Sequence, residues 1–208
     1  MNRAVLFISG QPPANLPDLS GFDKIYCTDS AYFFLFSKKI KPDVVSGDFD
    51  GFDTRVVDKG VEIIETPDQD YTDFEKSLRI LIERNFDEVH VYGGSGKEQD
   101  HFLGNLSVAY KYKDEINILF FDDYSFYFFA DNQTTLQGYK DRLISLYPFP
   151  YTKDITTRGL QYLLNNEDLI MTDRIGIRNT AIEDTVEIEF EKGGLLIFIG
   201  LEPKEGLA

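Results

Sequence analysis

The 208 residues suffice for one core of ordinary size, or one core with a small companion, since a domain usually holds roughly 100 to 200 residues; more than two domains are excluded. With 36 Asp and Glu against 21 Lys and Arg, the formal charge of −15 repels the phosphates of nucleic acid and of anionic lipid, so neither is an expected partner. A hydrophobic share of 42% excludes disorder. No stretch approaches roughly 18 apolar residues, and the start MNRAVLFISGQPPAN is too short an apolar run for a signal sequence, so a cytoplasmic protein is expected. The single cysteine, Cys27, lies in an apolar run and reads as a buried small residue in a reducing compartment, which also makes the sequons at Asn105 and Asn132 accidental.

In chain order, apolar runs predict strands at Ala4 to Ile8, Ile25 to Thr28, Val44 to Ser46, Val61 to Glu65, Glu88 to Tyr92 and Ile116 to Phe121. The Pro12-Pro13 pair marks a loop after the first. Tyr32 to Phe36 reads as a buried helix face. Thr72 to Arg84 reads as a helix opened by a Thr72/Glu75 capping box, with Phe74, Leu78, Leu81 and Ile82 at helical spacing, and a further helix runs from about Phe102 to Tyr112. Alternating strands and helices predict an α/β N-terminal domain with a mostly parallel, Rossmann-like sheet over residues 1–123. From 124 the pattern changes to short strands at Phe126 to Ala130, Thr134 to Leu136, Leu143 to Leu146, Val186 to Phe190 and Leu195 to Ile199, a small all-β C-terminal sandwich over residues 124–208. Glu202 to Ala208 reads as a frayed tail.

The chemistry lies in acidic loops that each follow a strand: Gly47-Asp48-Phe49-Asp50-Gly51, Pro67-Asp68-Gln69-Asp70-Tyr71-Thr72-Asp73, and Gly93-Gly94-Ser95-Gly96 leading to Asp100-His101. A single Asp-rich turn is ordinary, because Asp bonds its own backbone in turns. Three such loops at equivalent ends of a parallel sheet gather carboxylates that repel unless a cation holds them, and Mg²⁺ takes a few carboxylates together with phosphate oxygens. Lys76, one turn beyond Asp73, can face the same ligand at the helix N-terminus.

Other motifs are excluded. Glu98 and Val91 stand where a Walker A loop needs a hydroxyl and a glycine, Lys59 stands where an EF-hand needs Glu, and two histidines, His90 and His101, do not make a His-rich zinc site. His90 reads as a packed strand residue. Tyr124 to Phe129 reads as core or dimer interface.

Thr28-Asp29-Ser30, Gly47 to Asp50, Asp68 to Lys76, Gly93 to Gly96 with Asp100-His101 and Asn105, Thr157 to Tyr162, and Arg178-Asn179 occur in an order that resembles the thiamine pyrophosphokinase family over nearly the whole chain. The resemblance implies an N-terminal domain that binds Mg-ATP, a C-terminal β domain that binds thiamine, and a homodimer with active sites between subunits. It implies that the hydroxyethyl oxygen of thiamine attacks the β-phosphorus of ATP, giving thiamine diphosphate and AMP. By position, Asp48, Asp50 and Asp73 hold Mg²⁺ and, with Asp100, form the catalytic carboxylates. Asp29, Ser30, Lys76, Gly93, Gly94, Gly96, Lys97 and His101 serve ATP. Tyr162 stacks on thiamine, with Gln69, Asp70 and Asn179 as polar contacts. The chain differs from the family pattern in having Lys97-Glu98 in place of Gly-Arg and Arg178 in place of a small residue before Asn179.

Two other classes remain in view at this level. An aspartyl-phosphate phosphatase of the haloacid dehalogenase kind would use Asp48 as nucleophile and Asp50 as acid/base, but has Phe52 in place of Thr and leaves Asp68 to Lys76 unexplained. A noncatalytic nucleotide- or thiamine-binding protein would follow from the loss of the Arg at Glu98.

Overall fold

The first apolar run forms β1 (Arg3–Phe7), in which Ala4 to Phe7 have no exposed surface. In the computed structural model, which describes residues 1–203, β1 lies beside β2 (Lys24–Thr28), β2 beside β3 (Val44–Gly47), and β3 beside β4 (Glu62–Glu65), each pair parallel. On its other side β1 pairs parallel with β5 (Glu88–Tyr92), and β5 with β6 (Asn117–Phe121). The order 4-3-2-1-5-6 reverses direction between β1 and β5, and it is beyond the carboxyl ends of strands at such a reversal that ligands sit in open α/β sheets. Apolar side chains of Val5, Phe7, Cys27, Tyr32, Leu35, Val45 and Tyr92 form a core under this sheet.

Three α-helices occur among the described residues: α1 (Asp29–Ser37), α2 (Asp73–Glu83) and α3 (Gln99–Tyr112). The helical period splits the aromatic run of α1, burying Tyr32 and Leu35 but leaving Phe33 and Phe36 more than half exposed, so only part of Tyr32 to Phe36 is a buried face. The α2 cap is half of the expected box. Thr72 Oγ1 accepts from the Glu75 N–H at 3.2 Å, but the Glu75 carboxylate turns away into a buried cluster of donors. The third helix begins at Gln99, three residues before the expected start, which moves Asp100 and His101 from a loop into its first turn.

The contacts divide the chain into two units, Met1–Asp123 and a second starting at Tyr124. In the second unit every pairing is antiparallel. The elements are β7 (Ser125–Phe129), β8 (Gln133–Gln137), β9 (Arg142–Arg158), β10 (Glu167–Ile170), β11 (Gly176–Thr180), β12 (Thr185–Glu189) and β13 (Lys192–Pro203). Their axis is β9, which pairs with β10, β11, β12 and β13. It is far longer than the expected Leu143 to Leu146, because Pro148 and Pro150, which break a strand signal, sit inside it. A register shift in the β13 pairing falls beside Pro148. Leu136, Ile144, Leu146, Ile155, Val186, Ile188, Leu195 and Ile197 make a separate buried cluster here.

The fold is thus strand-rich with few helices, parallel in one unit and antiparallel in the other. Glu202 and Pro203 belong to β13 and not to a frayed tail, while 204–208 lie outside the described residues. No described helix is long and apolar enough to cross a membrane.

Candidate active site

A cavity of about 340 Å³ opens in the first unit. Its walls come from the carboxyl ends of the parallel strands: Ile8 and Ser9 after β1, Thr28 at the end of β2, Asp48 after β3, Gln69 and Tyr71 to Asp73 after β4, and Asp100, His101, Gly104 and Asn105 on α3. A narrower recess beside it is lined by Gly93, Gly94, Lys97 and Glu98 and shares Ser9, His101 and Asn105 with the cavity.

Asp48 is held by its neighbours. Its Oδ1 accepts the Asp50 N–H at 2.9 Å and its Oδ2 accepts Gln69 Nε2 at 3.0 Å, and these bonds keep the carboxyl below its ordinary pKa. The loop can turn there because Phe49 takes a positive φ of 58° and its N–H is caught by Asp29 Oδ2 at 3.1 Å. Asp29 is buried, and Gly47 lets it approach, since a Cβ at Gly47 would stand 2.4 Å from Asp29 Oδ2. Burial pushes the Asp29 carboxyl up, and the negative charges of Asp73 and Asp48 push the same way against its two backbone bonds. Asp29 therefore braces the Asp48 loop from behind.

Asp73 opens α2 and pairs with Lys76 at 2.8 Å. Lys76 Nζ also donates to the carbonyls of Thr66 at 2.9 Å and Asp68 at 3.1 Å, so this buried ammonium ties the first residue of α2 to the loop before it. Lys76 thus fixes Asp73 and the loop, with its charge at the cavity wall.

The glycine loop is laced to the segment after β1. The Gly10 N–H donates to the Gly93 carbonyl at 2.8 Å and the Gln11 N–H to the Ser95 carbonyl at 2.6 Å. Gly93, at φ 81°, lies where a Cβ would meet the Ile8 carbonyl oxygen at 2.4 Å, so only glycine fits. Asn105 Nδ2 reaches the Gly94 carbonyl at 2.9 Å and ties the loop to α3. Lys97 Nζ donates to the Ser9 carbonyl at 2.6 Å, while Glu98 is exposed, with His101 3.7 Å away.

Of the residues singled out from the sequence, Asp48, Gln69, Asp73, Lys76, Asp100 and His101 share the cavity, and Gly93, Gly94 and Lys97 line the recess. Asp50 and Asp70 are exposed and line neither; Ser30 bonds Thr28 Oγ1, and Gly96 makes a positive-φ turn over Gln11. Tyr162 and Asn179 lie in the second unit and bond each other. Among the described residues no three acidic, His or Cys side chains gather as a ready metal site.

Sequence reasoning missed the cluster around Glu75. One buried oxygen, Glu75 Oε1, accepts from Lys111 Nζ at 2.7 Å, Arg79 at 2.9 Å and the Tyr112 hydroxyl at 2.9 Å. Burial pushes the Glu75 carboxyl up, but these donors outweigh it and its pKa is lowered. Arg79 at i+4 was the only local signal; Lys111 and Tyr112 come from another helix.

Comparison with known proteins agrees with this arrangement. The family model of the thiamin pyrophosphokinase catalytic domain matches residues 19–120, and that of the thiamin pyrophosphokinase vitamin B1 binding domain matches residues 133–195. Thiamine pyrophosphokinase of Bacillus subtilis is 26% identical over 208 residues, covering 94% of this chain and 97% of that protein. Thiamine pyrophosphokinase 1 of Arabidopsis thaliana is 30% identical over 73% of this chain and 62% of its own length. The crystal structure of the Bacillus subtilis enzyme superimposes with a TM-score of 0.81 over 95% of this chain and 98% of that one. With both halves matched in order and the matched loops lining one cavity, the chain is an enzyme of the thiamine pyrophosphokinase family.

Proposed function

We propose that the chain transfers the diphosphoryl group of ATP to the hydroxyl of thiamine, releasing thiamine diphosphate and AMP. The observation that carries this reading is the meeting of Asp48, Asp73 and Lys76 in one cavity at the end of a parallel sheet. The donor set suits Mg²⁺, which commonly keeps one or two protein carboxylates and takes its other oxygens from phosphates and water. Asp48 and Asp73 would hold the ion, and Asp50 would join them on a movement of its exposed loop. When bound, the ion offsets phosphate charge at the site of attack.

The protein's own contribution is position and charge. Gln69 holds the Asp48 carboxylate, Asp29 holds the next peptide at Phe49, and Lys76 fixes Asp73, so neither carboxylate needs to reorganise as charge moves from the attacking oxygen to the leaving AMP. Asp100, at the positive end of α3, borders the same space, and no general base is assigned. Lys97 supplies a point charge at the glycine loop, next to Glu98, which stands where the family pattern has Arg. Gly93, Gly94 and Gly96 leave backbone open to the phosphates, with Ser30 and His101 at the margins, and Asp70 is a polar contact at the loop tip.

In the second unit, Tyr162 offers an aromatic face to thiamine, and the unit serves as a small β sandwich that pairs two copies so that each active site lies between subunits. The first unit serves as a Rossmann-like layer. The protein works in the cytoplasm without nucleic-acid or membrane partners, in keeping with its charge of −15.

Incubation with thiamine, ATP and Mg²⁺ tests the reaction: AMP and thiamine diphosphate are expected in equal amounts. ADP as the sole nucleotide product overturns diphosphoryl transfer. Sedimentation analysis tests the dimer.

A further inference from the structure

The carboxyl end of β3 and the start of α2 are joined by two buried hydroxyls that line no part of the cavity. Ser46, on β3 two residues before Asp48, has its Oγ 3.0 Å from that of Ser77, and Ser77 Oγ donates to the Asp73 carbonyl at 2.7 Å. A hydroxyl carries one proton. Ser77 gives its proton to Asp73, so within the pair Ser46 donates and Ser77 accepts. The chain of bonds therefore runs one way, from the strand that carries the Asp48 loop to the backbone of Asp73.

Packing does not call for these groups. Ser77 has no exposed surface and Ser46 is 2% exposed, on a helix face otherwise filled by Phe74, Leu78 and Leu81. Alanine at both positions would occupy the space with no polar group to satisfy. A serine that bonds the carbonyl four residues back slightly weakens and bends its helix, so helix stability gives no reason for Ser77 either. A directional link does. The apolar contacts of α2 are non-directional, and Lys76 ties α2 to the loop before it. Among the described residues no other hydrogen bond joins β3 to α2.

We propose that Ser46 and Ser77 are positioning residues that set the separation of the Asp48 and Asp73 carboxylates, so that both meet one divalent ion. The proposal rests on the reading that these two carboxylates hold Mg²⁺ together. Mg²⁺ demands near-ideal octahedral geometry, so a small slip of α2 along β3 strains one of the two bonds to it.

Mn²⁺, titrated against the full chain with and without a non-hydrolysable ATP analogue, tests this. Water-proton relaxation separates ion held by the protein from free ion and from ion held by nucleotide alone. Ser46→Ala, Ser77→Ala and the double variant are each expected to weaken protein-bound Mn²⁺ about tenfold, the lower end for groups that act behind a metal ligand. The Mg²⁺ concentration for half-maximal turnover rises alike, while the thiamine KM stays within about twofold. Stability follows a different order. Ser77→Ala strands the buried Ser46 O–H and melts lowest, Ser46→Ala leaves Ser77 bonded to Asp73, and the double variant strands nothing and melts near the native chain. Native-like Mn²⁺ affinity in Ser46→Ala and in the double variant overturns the proposal alone, as does an affinity that recovers with melting temperature in the double variant, which assigns the pair to packing. A native chain with no protein-bound Mn²⁺ in either condition overturns the two-carboxylate reading, and the proposal with it.

Discussion

The side-chain amide of Asn179 grips the peptide of Tyr162 from both sides: Oδ1 accepts the Tyr162 N–H at 3.0 Å and Nδ2 donates to the Tyr162 carbonyl at 2.7 Å. Asn179 is buried and its Oδ1 also accepts the Thr180 N–H at 2.9 Å, whereas Tyr162 is 67% exposed. Asn179 thus holds the Tyr162 peptide through its side-chain amide, and we propose that it acts on thiamine by positioning Tyr162.

If that is its role, Asn179→Ala raises the thiamine KM several-fold while the ATP KM stays near the native value, and it costs about 1–3 kcal/mol of stability through the stranded N–H groups. Tyr162→Ala also raises the thiamine KM, and the double variant shows less than the product of the two effects because both act through one ring. Tyr162→Phe is close to native. Steady-state kinetics in both substrates decides this.

At the proposed metal site, Asp48→Asn and Asp73→Asn should each lower turnover by about 100-fold or more, and Asp50→Asn by less, since Asp50 is exposed and lines no part of the cavity. Melting temperatures should move by only a few degrees. An Asn at 48 still accepts the Asp50 N–H, and removing one of several crowded carboxylates relieves repulsion on Asp29. Turnover measured across a Mg²⁺ titration, alongside thermal unfolding, tests both halves.

Glu75→Gln should destabilise the first unit. Its buried oxygen serves Arg79, Lys111 and Tyr112, and removing the charge strands two cations, although Lys111 is about half exposed and well screened. A loss of about 1–3 kcal/mol follows, seen in thermal melts as several degrees. The native Glu75 pKa is lowered, so its contribution is present above the unfolded value near 4.3 and fades as pH falls through the folded one. The gap between native and variant melts should therefore narrow on acidification below about pH 4.

His90 acts at a higher pH. It lies between Phe22 and Phe121, ring centroids 4.8 and 4.7 Å away, and burial holds its pKa below the ordinary value despite the pull of Glu88. The unfolded chain takes up a proton near pH 6.5 while the folded one resists, so stability falls as pH drops through about 6.5 and levels off below the folded pKa. His90→Gln should lose less melting temperature than the native chain between about pH 7.5 and 5.5. Equal losses would exclude His90 as the cause.

The sequence by itself determined the parallel strand pattern, α2 and the family. β1, β2, β3 and β5 are short apolar runs whose burial needs no knowledge of partners, and the Thr72 cap and the amphipathic spacing of Phe74, Leu78 and Leu81 are local signals. It also determined that Asp48 and Asp73 follow parallel strands, because chain order and the handedness of the connections put such loops on one edge. Tertiary structure alone decided what the side chains do there. Lys76 clamps the loop before α2 because the Thr66 and Asp68 carbonyls lie within its reach, and Glu75 left its capping box because Lys111 and Tyr112 arrive from α3. The length of β9 was hidden by Pro148 and Pro150, which a strand tolerates only where its partner's register breaks. These are contacts between residues distant in sequence, and their energies depend on distances that no local pattern encodes.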